Sequence, residues 1–474
     1  MGIDSPENRR LQLMAATRKF IPLIIAAPMF LQNVDMMATS VALPDMARSL
    51  GVVPLQLNLV IAAYAVSLAV FLPISAWLVD RFGAKRMFCS AILIFSGASA
   101  LCGMAQSATL LIICRVLQGF GAALMVPVGR LILLRTVPAS ELMAAMVWFT
   151  LPPTIGRLLG PLIGGAIISI ASWRWIFLVN IPLGLIAILL AIAFVDADTG
   201  EAKRRPFDSR GFALMGIGLG ATLGGIEAVS RGLVSSWTSY AFIGTGVVSL
   251  LLYIRYSLRV AAPVIDLRIL TIKTFRINVV GAFPMRLANT AVPFLVPLML
   301  QLGFGMKPLD AGLMSSGVAA GALGTRLFMK RAMRRVSFRS LFLGANLMAA
   351  LMLGAYGLLV PTMPHSIMFG IFFVGGLTSS LCLVSLNTIG FVDVPPERMA
   401  HATALVAMAQ QTASAIGVVF AATLLGIFSR WHGGDAVHLA QGDFSATFFA
   451  IGLLSAVSLI PFSQLHPDEG KELR

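Results

Sequence analysis

Charged residues are scarce in this sequence of 474 residues, at 12% of the chain, whereas a typical soluble domain carries about 25%. So little charge cannot cover the surface of a water-soluble globule, which argues against a soluble enzyme and against a disordered chain. Hydrophobic residues reach 58% and the mean hydropathy is +0.89. The long apolar runs also differ from the alternating polarity of outer-membrane barrel strands. The sequence therefore predicts an all-α polytopic membrane protein.

Cysteine, histidine and long polar segments are equally sparse. The four cysteines lie within apolar runs and indicate no disulfide framework. The five histidines lie in or next to predicted loops and show neither metal-ligand nor nucleophile spacing. The sequence has neither a large polar domain nor a Walker-type phosphate loop, which argues against an ATP-driven pump. We expect no enzyme activity, no metal site and no cofactor.

Fourteen apolar runs are each long enough to cross a hydrocarbon layer of about 30 Å. Their approximate limits are 20–43, 58–79, 87–104, 110–134, 143–170, 174–195, 211–229, 237–254, 277–302, 310–328, 339–360, 366–391, 402–428 and 444–465. The uncharged stretch 340–392 is too long for one span, and the turn residues Pro361–His365 divide it in two.

Basic residues set the predicted orientation. With a cytoplasmic N-terminus, 25 of them fall on the inner side and five on the outer side, and this bias stays regular along the chain. It predicts an N-in/C-in topology. It also assigns the net charge of +15 to cytoplasmic loops rather than to nucleic-acid binding. Residues 1–19 lack a cleavable signal pattern, so the first run is expected to be a retained span.

The longest predicted inner loops, near 196–210 and 255–276, separate the seventh and eighth spans from the rest. This division predicts three parts: a six-helix bundle at 1–198, two additional transmembrane helices at 199–260, and a second six-helix bundle with a short cytoplasmic tail at 261–474. Paired six-helix halves are typical of transporters that alternate access around a central site. The expected partners are the lipid bilayer, a small-molecule substrate and protons.

One motif follows the second span, in AWLVDRFGAKR (Ala76–Arg86). Asp80 stands at the membrane edge, and Gly83 permits a tight turn between two helices. The neighbouring cations are Arg81, Lys85 and Arg86. An acid here can hold cations or a helix N-terminus in one conformation and release them in another. The residues alone leave open whether this is a gate or an ordinary basic loop.

Two acids lie well inside predicted spans, Asp35 and Glu227, and an intramembrane charge is a functional-site hypothesis by default. At about 1.5 Å rise per residue, Asp35 and Arg115 reach a similar depth. We expect them to pair, because each offsets the desolvation of the other. A buried carboxylate that gains and loses a cation changes its proton affinity, as proton coupling requires. A purely structural ion pair is the alternative, and Glu227 has the alternative of reaching water.

Other polar residues within spans are candidates for a substrate cavity. They are Arg157, Arg286, Gln118, Asn387, Gln410 and Gln411. Their alternatives are snorkelling, helix packing or interhelical hydrogen bonding. Within the spans cations outnumber acids, which leaves organic anions or metal–carboxylate chelates such as citrate as an alternative substrate class.

The fifth span carries glycines at every fourth position: Gly156, Gly160 and Gly164. This spacing places them on one helix face and allows close approach of another helix. Pro161 and Gly165 lie beside them, and a proline can bend the helix. Small-residue packing alone accounts for such a pattern as well.

These motifs together resemble those of a known family. AWLVDRFGAKR is similar to the loop signature G-x-L-x-D-R-x-G-R-R of the major facilitator superfamily, with Ala76 in place of its first Gly. MVPVGRL (Met125–Leu131), LLGPLIGG (Leu158–Gly165) and ASWRWIFLVNIPLG (Ala171–Gly184) resemble the fourteen-span drug:proton antiporter branch, typified by EmrB and QacA, and MdtD-type proteins most closely.

The resemblance implies a major facilitator fold in a monomeric, multi-pass protein of a bacterial inner membrane. It implies proton-coupled antiport that exports small amphipathic or drug-like compounds by alternating access. Asp35 in DMMATSVALP and Arg115 in RVLQG take the family's proton-coupling positions, although Met36 and Met37 replace the usual Thr-Thr. The span-five glycines correspond to the antiporter signature, which disfavours the alternative of import by proton symport. A membrane-embedded enzyme and a channel or receptor are the remaining alternatives.

Overall fold

The computed structural model describes residues 20–137, 142–195, 207–231, 236–260, 263–335, 338–391, 393–395, 398–432 and 439–464. Every regular element in these ranges is helical. Apolar side chains satisfy the hydrocarbon layer, and helices satisfy the backbone hydrogen bonds that lipid cannot.

The described part of the first half contains eight α-helices. They are α1 (Ile21–Leu50), α2 (Leu59–Phe71), α3 (Ile74–Phe82), α4 (Ala84–Gly103), α5 (Ala108–Thr136), α6 (Leu142–Ile170), α7 (Arg174–Leu178) and α8 (Asn180–Phe194). Helix α1 ends at Gly51, which adopts a left-handed φ of 67°, and the α3–α4 turn is made by Gly83 at a φ of 88°. Both positions need the conformational freedom of glycine.

The described residues of the rest of the chain contain ten more. They are α9 (Ser209–Arg231), α10 (Ser236–Ser257), α11 (Lys273–Arg276), α12 (Phe283–Leu298), α13 (Pro308–Arg335), α14 (Phe338–Gly357), α15 (His365–Ile389), α16 (Met399–Trp431), α17 (Gln441–Val457) and α18 (Leu459–Ser463). Two π-helical segments, Ile277–Gly281 and Met299–Gly303, flank α12.

All fourteen predicted spans overlap helices. Within the described ranges, 12 helical stretches are long and apolar enough to cross a membrane. Helices α9 and α13, of 23 and 28 residues, lie outside that set. The fourteen-span count and the N-in/C-in orientation therefore stay predictions. The predicted end of the first span at 43 is too early, because α1 continues through Pro44 to Leu50.

The two halves share one buried core at the end of the bundles where Gly51 lies, here called the Gly51 side. This core joins side chains of α1, α2 and α5 to those of α12, α13, α15 and α16. At the opposite end, the Gly83 side, the first half has its own core and the last helices have another. The structure is thus closed on the Gly51 side.

The α9–α10 pair packs at one edge of this arrangement. Leu223 of α9 belongs to a small buried cluster with Ala65 of α2 and Ala415 of α16. Towards the Gly83 side, Met215 and Leu219 continue the same contact. The additional pair therefore covers the seam between α2 and α16, where the two halves meet.

Candidate functional site

The charged site lies in the middle of the first bundle. The carboxylate Oδ2 of Asp35 accepts a hydrogen bond from Nη1 of Arg115 at 2.5 Å, and both side chains have 0% exposure. Asp35 comes from α1 and Arg115 from α5. The structure thus joins the two residues that the sequence placed at a similar depth.

Two amides complete the shell of the carboxylate. Oδ1 of Asp35 accepts from Nδ2 of Asn180 at 3.0 Å and from Nε2 of Gln118 at 3.2 Å. Asn180 Nδ2 also lies 2.9 Å from Oγ of Ser99. The carboxylate thus has three side-chain donors, from Arg115, Asn180 and Gln118.

Arg115 has further partners of its own. Its Nε donates to the backbone oxygen of Val60 at 3.0 Å, and its Nη1 donates to Oε1 of Gln118 at 2.8 Å. Its guanidinium carbon lies 4.2 Å from the centre of the Tyr64 ring. A cation over a desolvated aromatic face is stabilised by the ring quadrupole. Arg115 therefore keeps an acceptor and a ring even when its bond to Asp35 is broken.

Close packing of α5 on α2 creates this geometry. A Cβ at Gly119 would lie 2.6 Å from the Cβ of Ser67, so only glycine fits there. Ser67 Oγ donates to Val116 O at 2.6 Å across the same contact. This approach brings the side chain of Arg115 within reach of the α2 backbone.

Sequence reasoning missed Asn180 and Tyr64 as parts of the site. Asn180 stands within the quoted stretch Ala171–Gly184, where an asparagine in an apolar run was the available signal. Tyr64 carries no comparable signal, because an aromatic residue in a span is ordinary. Gln118, expected at a substrate cavity, is 0% exposed and spends both ends of its amide on Asp35 and Arg115. It belongs to the ion-pair network.

The α3–α4 loop on the Gly83 side holds its charges apart. Asp80 is half-buried and has no cation within ion-pair distance among the described residues. Arg81 stacks on the ring of Trp77, at 5.5 Å from its centre, and Arg86 is exposed. Lys85 Nζ donates to the backbone oxygen of Ile192 at 2.8 Å. In this conformation Asp80 therefore forms no ion pair with the described cations of its loop.

The glycines of α6 face two partners. A Cβ at Gly156, Gly160 or Gly164 would come within 2.7 Å of α1. A Cβ at Gly165 would lie 2.5 Å from the backbone oxygen of Pro308. Conversely, a Cβ at Gly312 would lie 2.3 Å from Pro161 O. One face of the motif thus packs α6 within its own bundle, and the other packs it on α13 of the second bundle.

The remaining candidate residues are spread over the molecule. Arg157 is exposed on α6, and Gln410 and Gln411 are half-buried on α16. Arg286 is buried on α12, and half-buried Asn387 of α15 faces it at 3.5 Å. The side chain of Glu227 lies outside the described residues. In the part of the chain that the structure describes, no group of three or more His, Cys, Asp and Glu residues is arranged to hold a metal.

Comparison with known sequences identifies one family. The profile described as "Major Facilitator Superfamily" matches residues 27–418 and 279–473. Proteins named "Putative multidrug resistance protein MdtD" from Salmonella paratyphi B and Salmonella typhi are each 32% identical over 98% of this chain and 97% of their own.

Solved structures show the same fold. A bacterial homologue of the human lysosomal transporter Spinster, in an inward-facing and unoccupied conformation, superposes with a TM-score of 0.62, covering 94% of this chain and 95% of its own at 15% identity. The peptide transporter POT in complex with sulfate superposes with a TM-score of 0.69, covering 95% of both chains at 15% identity.

Proposed function

Because the chain belongs to the major facilitator superfamily and is a multi-pass membrane transporter rather than an enzyme, we propose that it is a proton-coupled antiporter. It exports small amphipathic, drug-like compounds by alternating access across a bacterial inner membrane. The names of its relatives support the substrate class. The Asp35–Arg115 network supports the proton coupling.

The single observation that carries the proposal is a carboxylate buried at 1% exposure whose cation has substitute partners. Protonation of Asp35 breaks its charge attraction to Arg115. A guanidinium then left alone in the protein interior would be very costly. Here it retains Val60 O, Gln118 Oε1 and the Tyr64 ring. Both protonation states of Asp35 can therefore be occupied without a bare buried cation.

The location of Asp35 links protonation to access. Helix α1 carries the acid, and its neighbouring residues pack on the glycines of α6, whose opposite face contacts α13 of the second bundle. A proton bound from the Gly51 side weakens the hold of α5 on α1. The proton leaves to the Gly83 side once the Gly51 side has closed, and its loss restores the ion pair. Outward substrate movement takes place in the return step, after this release and before the next proton binds from the Gly51 side.

Transport into everted membrane vesicles tests the proposal, with the lipophilic cation ethidium and the organic acid citrate as probes. Asp35→Asn keeps the shape of the side chain but removes the titrating group. We expect the variant to be inserted at wild-type levels and to lose uptake driven by the pH gradient. Asp45→Asn is the matched control, because it removes another acid of α1 whose partner Arg48 is exposed.

Uptake by Asp35→Asn that still follows the imposed pH gradient at the wild-type rate would overturn the proton-coupling role. Gradient-independent uptake by the wild-type protein would overturn antiport itself. Loss of uptake in Asp45→Asn as well would mean that any acid on α1 matters, and the assignment to Asp35 would fail.

A further inference from the structure

The second bundle contains a buried cation without an acid. Arg286 is 2% exposed. Among the described residues the ion pairs are Arg48–Asp45, Arg115–Asp35 and His432–Asp443, and Arg286 takes part in none of them. A guanidinium stays charged in proteins, and burial of an uncompensated charge is strongly unfavourable. A buried guanidinium without an acid favours a negatively charged partner.

The hydrogen bonds of Arg286 are unevenly distributed. Its Nη2 serves all of the acceptors: Asn278 Oδ1 at 2.7 Å, Asn278 O at 3.4 Å and Asn387 Oδ1 at 3.5 Å. Its Nε and Nη1 are buried and have no acceptor. Buried donors without acceptors are rare in proteins, so these two nitrogens call for an explanation.

Neighbouring amides add donors of the same kind. Asn278 Nδ2 and Asn289 Nδ2 are also buried without an acceptor. Asn289 lies three residues beyond Arg286 and so shares its helix face. The oxygen of Asn289 is occupied by Ser379 Oγ at 2.9 Å, which leaves its nitrogen as the free end. Nitrogen atoms of three neighbouring residues thus carry N–H groups that have no acceptor among the described residues.

Backbone geometry presents one of these donors. Asn278 lies in the π-helical segment Ile277–Gly281. Pro284, three residues after this segment, has no backbone N–H to donate to the preceding turn. Single π-helical turns occur often at functional sites because they redirect side chains. A Cβ at Gly390, which directly follows α15, would lie 2.0 Å from Asn278 Nδ2, so the close approach of Asn278 requires a glycine at this position.

We propose that Arg286, Asn278 and Asn289 form a binding site for a small anion, either a carboxylate group of a transported compound or a free inorganic anion. Both sources present what the cluster requires, which is a compact negative acceptor for several N–H donors. Asn289 of α12 and Asn387 of α15, which border the cluster, are half-buried. Proton coupling at Asp35 does not require this site, and either assignment stands without the other.

Anion-dependent stabilisation of the purified, detergent-solubilised protein tests the site. The unfolding temperature is measured against sodium chloride and, separately, sodium acetate, at an ionic strength held constant with the bulky anion isethionate. A ligand that binds the folded protein raises this temperature with a saturable dependence on its concentration. We expect saturation in the wild-type protein with at least one of the two anions.

Arg286→Gln should raise the half-saturating anion concentration by about ten- to a hundredfold, as expected for loss of hydrogen bonds to a charged group. Asn289→Leu removes one donor from a half-buried position and should raise the half-saturating concentration about tenfold by the same reasoning. This second variant keeps the test decisive if Arg286→Gln does not fold. Arg48→Gln is the matched control, because it removes an exposed cation and should leave saturation unchanged.

The two anions separate the two sources. Saturation by acetate that chloride does not displace assigns the site to a carboxylate, and saturation by chloride that acetate does not displace assigns it to an inorganic anion. A linear response to both salts in the wild-type protein would overturn the proposal. Saturation that is unchanged in both Arg286→Gln and Asn289→Leu would overturn it as well.

Discussion

Replacement of Gly165 by Ala tests how the two bundles close. Gly165 lies on the face of α6 that meets α13, on the Gly51 side of the molecule. An added Cβ would lie 2.5 Å from Pro308 O and 3.0 Å from the Cα of Leu309. Both neighbours are backbone atoms of the other bundle, so no side-chain rotation relieves the overlap. The strain therefore arises only while this side is closed.

The size of the effect follows from these distances. Carbon atoms in contact are normally about 3.5–4.0 Å apart, so the two helices have to separate by up to about an ångström. Overpacking of this kind costs about 1–3 kcal/mol. A cost of about 2 kcal/mol reduces the ratio of closed to open molecules about thirtyfold, since about 1.4 kcal/mol corresponds to a factor of ten.

Distance measurement between spin labels reads this ratio. Cysteines introduced at Ser49 and Lys307 place the labels on exposed positions of the two halves on the Gly51 side. Cys89 is replaced by Ser because it is half-buried, whereas the other three cysteines are buried. We expect a dominant short distance in the parent protein and a shift of the population to longer distances in Gly165→Ala.

Gly344→Ala is the control, because a Cβ there meets no atom within 4 Å. It should leave the distance distribution unchanged. An unaltered distribution in Gly165→Ala, or an equal shift in both variants, would refute the reasoning that α6 and α13 close this side through glycine contacts.

Three further predictions concern the site and the loop. Tyr64→Leu should lower the unfolding free energy by about 2 kcal/mol through loss of the desolvated cation–π contact, and Tyr64→Phe should retain most of it, as denaturant titration in detergent can show. Asn180→Leu should cost about 1.5–3 kcal/mol through the lost bond to a charged carboxylate, and little when Asp35→Asn is already present; additive losses in the double variant would contradict the shared network. Asp80→Ala should slow turnover while substrate binding is unchanged, because Asp80 makes no ion pair in this conformation; loss of binding with normal conformational exchange would exclude a gating role.

Twelve of the predicted spans coincide with helical stretches of the described residues that are long and apolar enough to cross a membrane, because hydrophobic length is a strong signal in membranes. The turn at Pro361–His365 appears where expected, since α14 ends at Gly357 and α15 begins at His365. The first predicted span stops at 43 because the apolar run ends there, whereas the helix continues. Pro44 lies inside the helix, which continues to Leu50 before Gly51 ends it.

The Asp35–Arg115 pair was predictable because charges within spans are few and each requires compensation. The roles of the Gln118 and Asn180 amides were not predictable, since an amide in a helix gives no indication of its partner. Gln118 was expected in a cavity and instead completes the shell of Asp35. Contacts between distant parts of the chain, such as Asn180 with Asp35, depend on packing angles that no local pattern encodes.

Proton movement driven by a substrate gradient tests the central claim most directly. Purified protein is reconstituted into liposomes containing a pH-sensitive dye, and an ethidium or citrate gradient is imposed with no pH gradient present. The account predicts that the wild-type protein moves protons opposite to the substrate that it accepts, and that Asp35→Asn moves none. Substrate-driven proton movement by Asp35→Asn at the wild-type rate would contradict it.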